Sequence, residues 1–284
     1  MRVSFSKNLI SAAKTLLLGS VVACAASAAV VAAPAFVTAD KLSIGSDLTY
    51  PPFAYMKEGQ PAGFDVEFMD ALAKQMKLET AFVDTRFANL ITGLRAGQFD
   101  IVTSALYVTP ERQNVVDFVP YIYAGSSILV LASSEFQPKA VEELCGKTVG
   151  SIQGASWIPH IAKVSAVHCV ANNLGEIKSL EFDTDAAVTQ ALRSHAIDAQ
   201  FMDNMVGLEL IEKFPADYKI TSTELLYPIM VGIAVNPQNK ELLGAVAEGF
   251  AALRASGEFQ TLLTKYKLTA VADEDIASFV KAAQ

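Results

Sequence analysis

The chain is poor in the residues on which catalytic and metal centres are usually built. Its 284 residues include three histidines, three cysteines and one tryptophan. His160, His168 and His195 have no partner pattern, and His160 and His168 do not combine with the cysteines at a zinc-ligand spacing. The sequence shows no nucleophile elbow, no glycine-rich phosphate loop and no other metal constellation. These absences lead us to expect no catalytic residue, no metal and no cofactor. Internal repeats and low-complexity stretches are also missing. So is any excess of positive charge: 22 Lys+Arg stand against 30 Asp+Glu. That balance argues against nucleic acid or an anionic membrane as the main partner.

Acidic residues are absent from the first 39 positions, which instead carry Arg2, Lys7 and Lys14. An alanine-rich apolar run from Thr15 to Val37 follows, and Val37 and Ala39 fit the small-residue pattern before a signal-peptidase cut. We read residues 1–39 as a cleaved export signal, giving a periplasmic protein. A retained membrane anchor and a lipoprotein cut at Cys24 are the competing readings. Removing the signal takes three from the 22 Lys+Arg, leaving 19 against 30 acids and a net charge of −11. Two cysteines remain, Cys145 and Cys169, and an even pair in an oxidising compartment is expected to form a disulfide.

The remaining chain alternates strand and helix. "KLSIGSD" reads as a strand, and "DVEFMDALAKQM" as a helix with Val66, Met69, Ala73 and Met76 on one face and Asp65 at its cap. "ETAFVD" is a strand, "ANLITGLRAG" a helix ended by Gly97, and "FDIVTSA" a strand. The pattern restarts with "KTVGSIQG", a helix from Ser156, "IKSLEF", "DAAVTQALRSH" and "AIDAQFMD". Two β-α-β-α-β runs imply two lobes, each a mostly parallel sheet flanked by helices. The segments "AGSSILVLA" and "YPIMVGIAV" would be the two strands crossing between lobes. The expected division is 40–127 with 229–284 for lobe one and 128–228 for lobe two. A ligand site then falls in the cleft at the carboxyl ends of the strands.

The stretch "SALYVTPERQNVVDF", Ser104 to Phe118, reads as a strand end, a loop and a helix start. Thr109 can cap that helix, Pro110 suits its first position, and Glu111 favours the positive end of the dipole. Arg112 opposes the dipole in the same turn. By itself it is either a surface partner for Glu111 or Asp117, or an anion-binding fork.

Together, "IGSDLTYPPFAY", "GFDVEFMDALAKQM", "FANLITGLRAGQFDIVTSA", "TPERQNVVDF", "LCGKTVGSIQG" and "AIDAQFMD" resemble, in order and spacing, the family 3 periplasmic solute-binding proteins. These receptors feed polar amino-acid ABC transporters, and the resemblance runs from about Lys41 to Lys267. It implies the two-lobed type II periplasmic-binding-protein fold with two crossing hinge strands. It also implies a non-enzymatic receptor, a monomer, that closes on an amino acid or close analogue and delivers it to a membrane permease. The arginine of the T-x-x-R turn, Arg112, would pair with the ligand carboxylate through its planar fork. Backbone N–H groups of Ala105 and Tyr107 would complete the cradle, and Asp203, at the end of "AIDAQFMD", would hold the ammonium. Tyr50 would be an aromatic lid, Phe87 the opposing wall, and Asp47 a carboxylate for a polar or cationic side chain.

The chain departs from the family at two places. Tyr107 stands where a Thr or Ser is usual. "QGASW" replaces a G-T-T or G-S turn, keeping the hydroxyl of Ser156 and adding Trp157. Tyr50, Phe87, Tyr107 and Trp157 could form an aromatic box suited to a cationic group. Two other readings of the same pattern are a cyclohexadienyl (arogenate/prephenate) dehydratase, which uses this fold, and a sensor domain reporting to a membrane kinase.

Overall fold

The computed structural model describes residues 34–282. Of the export signal expected over residues 1–39, residues 1–33 lie outside them. Among the described residues, no helix is long and apolar enough to cross a membrane.

The chain begins with β1 (Lys41–Ser46) and a small antiparallel sheet of β2 (Thr49–Tyr50), β3 (Ala54–Lys57) and β4 (Gln60–Ala62). Helix α1 (Phe64–Gln75) leads to β5 (Glu79–Asp84), and α2 (Leu90–Arg95) to β6 (Ile101–Val102). The short α3 (Pro110–Gln113) precedes the long β7 (Asp117–Leu131). Next come β8 (Thr148–Ile152), α4 (Ile158–Val164), β9 (Lys178–Phe182), α5 (Asp185–Arg193) and β10 (Ala199–Asp203). Then follow α6 (Asn204–Lys213), β11 (Tyr218–Ile220) and β12 (Leu226–Val235). The chain ends with α7 (Lys240–Ala255), α8 (Glu258–Tyr266), β13 (Thr269–Ala270) and α9 (Asp273–Ala282).

The main sheet runs β5-β1-β6-β12-β7-β10-β8-β9. At one end β1 pairs parallel with β5 and β6; at the other β8 pairs parallel with β9 and β10. Between them β7 and β12 run antiparallel, from Asp117 opposite Val235 to Ser126 opposite Leu226. This is the two-lobed type II fold, with β7 and β12 as the crossing strands. The near-continuous apolar run of β7 is what a strand covered on both faces requires, and it is buried along most of its length. Helix α1 packs Phe64, Phe68, Met69 and Leu72 into the core of the first lobe, where Phe68 meets Tyr121, Phe250 and Phe259.

Three local expectations are corrected. Asp65 does not cap α1: the cap position is Gly63 at φ 114°, where a Cβ would lie 2.4 Å from the Phe53 carbonyl oxygen. Asp65 is instead fully buried as the second residue of the helix, accepting from the Ala105 N–H (2.7 Å) and the Tyr121 hydroxyl (2.8 Å). The helix expected from Ser156 starts at Ile158. "NMVGLELIEK", given no element by periodicity, forms α6 directly after β10.

Cys145 and Cys169 form a disulfide, with Cα atoms 5.3 Å apart across 24 positions. It ties the turn before β8 to a π-helical turn, Ser165–Val170, that continues α4, so the crosslink closes a loop within the second lobe.

Candidate functional site

The site lies where loops after the first lobe's strands face the β8–α4 turn of the second. The β6–α3 loop is fixed to the hinge: the Val108 N–H donates to Met230 O, and the Gly232 N–H to Leu106 O. Tyr107 therefore sits opposite Val231 in a pair whose own peptide groups point away from β12. Thr109 caps α3 by accepting from the Arg112 N–H at 3.3 Å, which holds the arginine at the cleft.

Of the eight ligand-site residues anticipated from sequence, Tyr50, Phe87, Ala105, Tyr107, Arg112 and Ser156 line one small cavity. Ile152, Ala155 and Trp157 complete its wall. The cavity measures about 10 Å³, the space of one water, so an amino acid enters only when the two faces part. Asp47 and Asp203 lie behind the lining, 0% and 1% exposed.

Arg112 is half-buried, with Nη1 donating to Tyr107 O (2.8 Å) and Nη2 to Gly154 O (3.1 Å), one carbonyl from each lobe. Its guanidinium also stands 5.5 Å from the centre of the Phe87 ring. Among the described residues it makes no ion pair. Asp117, the surface partner considered above, is held by Lys240 at 2.6 Å. Loss of hydration lowers the Arg112 pKa to about 10, against smaller opposing effects of Tyr107 and Glu111, so it stays charged at neutral pH. Three of its five N–H donors are uncommitted, enough for a bidentate carboxylate.

One of the two N–H groups expected from sequence is already committed. That of Ala105, a residue in the left-handed region at φ 46°, donates to Asp65. Asp47 is likewise engaged. Its carboxylate pairs with Arg86 at 2.9 Å, and accepts from the Thr49 N–H (3.1 Å), the Thr49 hydroxyl (2.6 Å) and the Phe87 N–H (2.9 Å). Asp47 thus anchors the loop carrying Phe87. Sequence reading missed Arg86, whose place beside Phe87 in "DTRF" was the available signal.

Asp203 ends β10 and caps α6, with Oδ1 accepting from the Met205 N–H at 2.9 Å. Oδ2 accepts from the Tyr107 hydroxyl, across the cleft, at 2.7 Å. Burial raises the Asp203 pKa to about 6, moderated by these hydrogen bonds. Burial also pushes the phenols of Tyr107 and Tyr50 well up, reinforced by the Asp203 charge. The Tyr107 ring meets Trp157 edge-on at 5.7 Å, and the Trp157 N–H donates to Ser151 Oγ at 2.5 Å. Asp198, the competitor of Asp203 in sequence, accepts from the Thr148 N–H at the far end of the strand.

The arrangement offers a cation, a buried carboxylate and aromatic walls around a closable gap. The described residues contain no group of three His, Cys, Asp or Glu able to hold a metal ion.

Residues 42–269 match the model of the bacterial extracellular solute-binding proteins, family 3. The ABC transporter arginine-binding protein 1 of Escherichia coli K12 is 30% identical, over 79% of this chain and 89% of that one. The histidine-binding periplasmic protein of the same strain is also 30% identical, over 79% and 86%. An ancestral arginine-binding protein bound to arginine superposes with a TM-score of 0.73 at 31% identity, covering 80% of this chain and 98% of that structure. The chain belongs to the bacterial extracellular solute-binding proteins, family 3.

Proposed function

We propose that this protein is the periplasmic receptor of an amino-acid ABC importer. It closes its lobes, divided as 40–127 with 229–284 and 128–228, on an amino acid or close analogue and presents it, as a monomer, to a membrane permease. Arg112 holds the ligand carboxylate, the Tyr107–Asp203 pair faces the amine end, and Tyr50, Phe87 and Trp157 enclose the rest. The observation that carries this reading is the Arg112 guanidinium: it lines the cavity, bonds a carbonyl of each lobe, and has no carboxylate partner among the described residues. A bound carboxylate supplies the missing anion and bridges the lobes.

The test is a thermal-shift screen over the common amino acids, followed by calorimetry. Arg112→Met should stay folded and bind the identified ligand at least about 100-fold more weakly. Binding within a few-fold of wild type would sink the assignment.

A second reading, cyclohexadienyl dehydratase, has one observation in its favour: the carboxylate of Asp203 lies buried beside the cavity, where loss of hydration raises its pKa to about 6, in the range useful for acid–base chemistry. Incubation with prephenate and with arogenate decides it; turnover abolished by Asp203→Asn would establish the enzyme in place of the receptor.

A further inference from the structure

We propose that the polar atom facing the amine end of the ligand is the Tyr107 hydroxyl, with Asp203 behind it as a positioning residue, so that the cleft accepts α-hydroxy acids alongside α-amino acids. The proposal rests on the amino-acid reading of the cavity given above.

Tyr107 lines the cavity, whereas Asp203 does not and is 1% exposed. Both Asp203 oxygens already have donors from the chain: the Met205 N–H on Oδ1 and the Tyr107 hydroxyl on Oδ2. The phenol has one proton and gives it to Asp203, so any further partner of its oxygen, a ligand included, must be a donor. Its ring is held by Trp157 on one side, and its peptide oxygen by Arg112 on the other.

This pair sits at the floor of the cleft. Asp203 lies opposite Ser126 on β7, and Tyr107 opposite Val231 on β12, so both border the hinge strands. A hinge rotation displaces atoms in proportion to their distance from the axis. Parting the faces therefore moves the Gly154–Arg112 contact further than it moves the Tyr107–Asp203 bond.

The consequence is a change in selectivity. Where a carboxylate touches the ligand ammonium directly, a ligand without that charge leaves a buried anion orphaned. Here the anion keeps its own donors, and the phenol oxygen stands between it and the ligand, weakening the Coulomb attraction by distance. An α-hydroxyl can donate to the same oxygen.

Calorimetry on wild type, Tyr107→Phe and Asp203→Asn, each checked for folding by circular dichroism, tests this. The matched probes are L-alanine with L-lactate, L-histidine with L-imidazolelactate, and L-arginine with L-argininic acid. In wild type, the α-hydroxy analogue of each amino acid that binds should stay within about 30-fold of it. Tyr107→Phe, which keeps the ring and bares Asp203 to the ammonium, should widen that gap at least about tenfold. Asp203→Asn, which keeps the cap, should weaken the amino acid by less than about 30-fold. A wider gap in wild type, an unchanged gap in Tyr107→Phe, or a larger loss in Asp203→Asn overturns the proposal while leaving the receptor reading intact. Binding of no amino acid in the thermal screen overturns the receptor reading, and this proposal with it.

Discussion

On the first lobe's side of the cleft, Asp47 is fully buried and paired with Arg86, which also reaches Asp84. On the second lobe's side, Asp203 is as deeply buried, and Asp185 nearly so, yet their donors among the described residues are neutral: Tyr107 and Met205 for one, Gln200 for the other. The difference is whether burial is offset by a cation or only by neutral hydrogen bonds. A carboxylate with its own cation fixes a loop, as Asp47 fixes Phe87, and has little left for a ligand. One held by neutral donors has no cation to offset the loss of hydration, and burial raises Asp203 to about 6 and Asp185 to about 7. Arg112, the first face's cation in the cavity, meets the second lobe through the Gly154 carbonyl and not through a carboxylate.

The largest effect should come from breaking the paired side. Arg86→Met leaves Asp47 buried without its cation and should cost about 3 to 4 kcal/mol of stability, read by denaturant unfolding. Asp203→Asn removes no cation pair and keeps the cap, so the same measurement should show less than about 1 kcal/mol. Equal losses at the two sites would erase the distinction.

The lobes also differ in covalent support, since the disulfide lies wholly in the second. Replacing Cys145 and Cys169 together by alanine should destabilise the protein by about 3 kcal/mol. Hydrogen exchange should report the loss first in β8, β9 and α4 rather than in α1 or β1.

The contact between faces can be tested at Gly154, whose carbonyl accepts from Arg112. It sits at φ 80°, and a Cβ there would stand 3.1 Å from Ala88 Cα on the opposite face. Gly154→Ala should therefore hinder closure and weaken ligand binding about tenfold, by calorimetry, with the fold retained. Unchanged affinity would mean that the faces do not meet there in the bound state.

The smallest expected effect is a pH slope. Asp65 and Asp185 are raised by burial from 3.8 to about 7, and Asp203 to about 6, so the folded protein binds these protons more tightly than the unfolded chain. Their contribution is full below the unfolded value and is lost as pH rises through about 6 to 7. The ligand-free melting temperature should accordingly be higher near pH 5 than near pH 7.5, and Asp65→Asn should flatten the profile. A rise over the same window would contradict the burial assignment.

Much of the framework was legible because it is written in short-range periodicity. The restart of the β-α pattern at "KTVGSIQG" and the two apolar segments that became parts of β7 and β12 correctly implied two lobes with crossing strands. α6 was missed because Asp203 was read as a strand end facing a ligand, although Asp-Asn before "MVGLELIEK" is also a cap signal. The small β2–β4 sheet went unread because strands of two to four residues carry too little alternation to register.

The sequence by itself determined the alternation of elements, the two-lobed architecture it implies, the Thr109 cap that holds Arg112 in its turn, and the pairing of two cysteines. Each depends on residues close together in the chain or on the few of a kind available. Only the tertiary structure decided how each buried group is satisfied: Asp47 by Arg86, the Ala105 N–H by Asp65, and Asp203 by Tyr107. The last two contacts join residues 40 and 96 positions apart. A hydrogen bond forms where donor and acceptor come within about 3 Å, and no local pattern states which distant groups the folded chain brings that close.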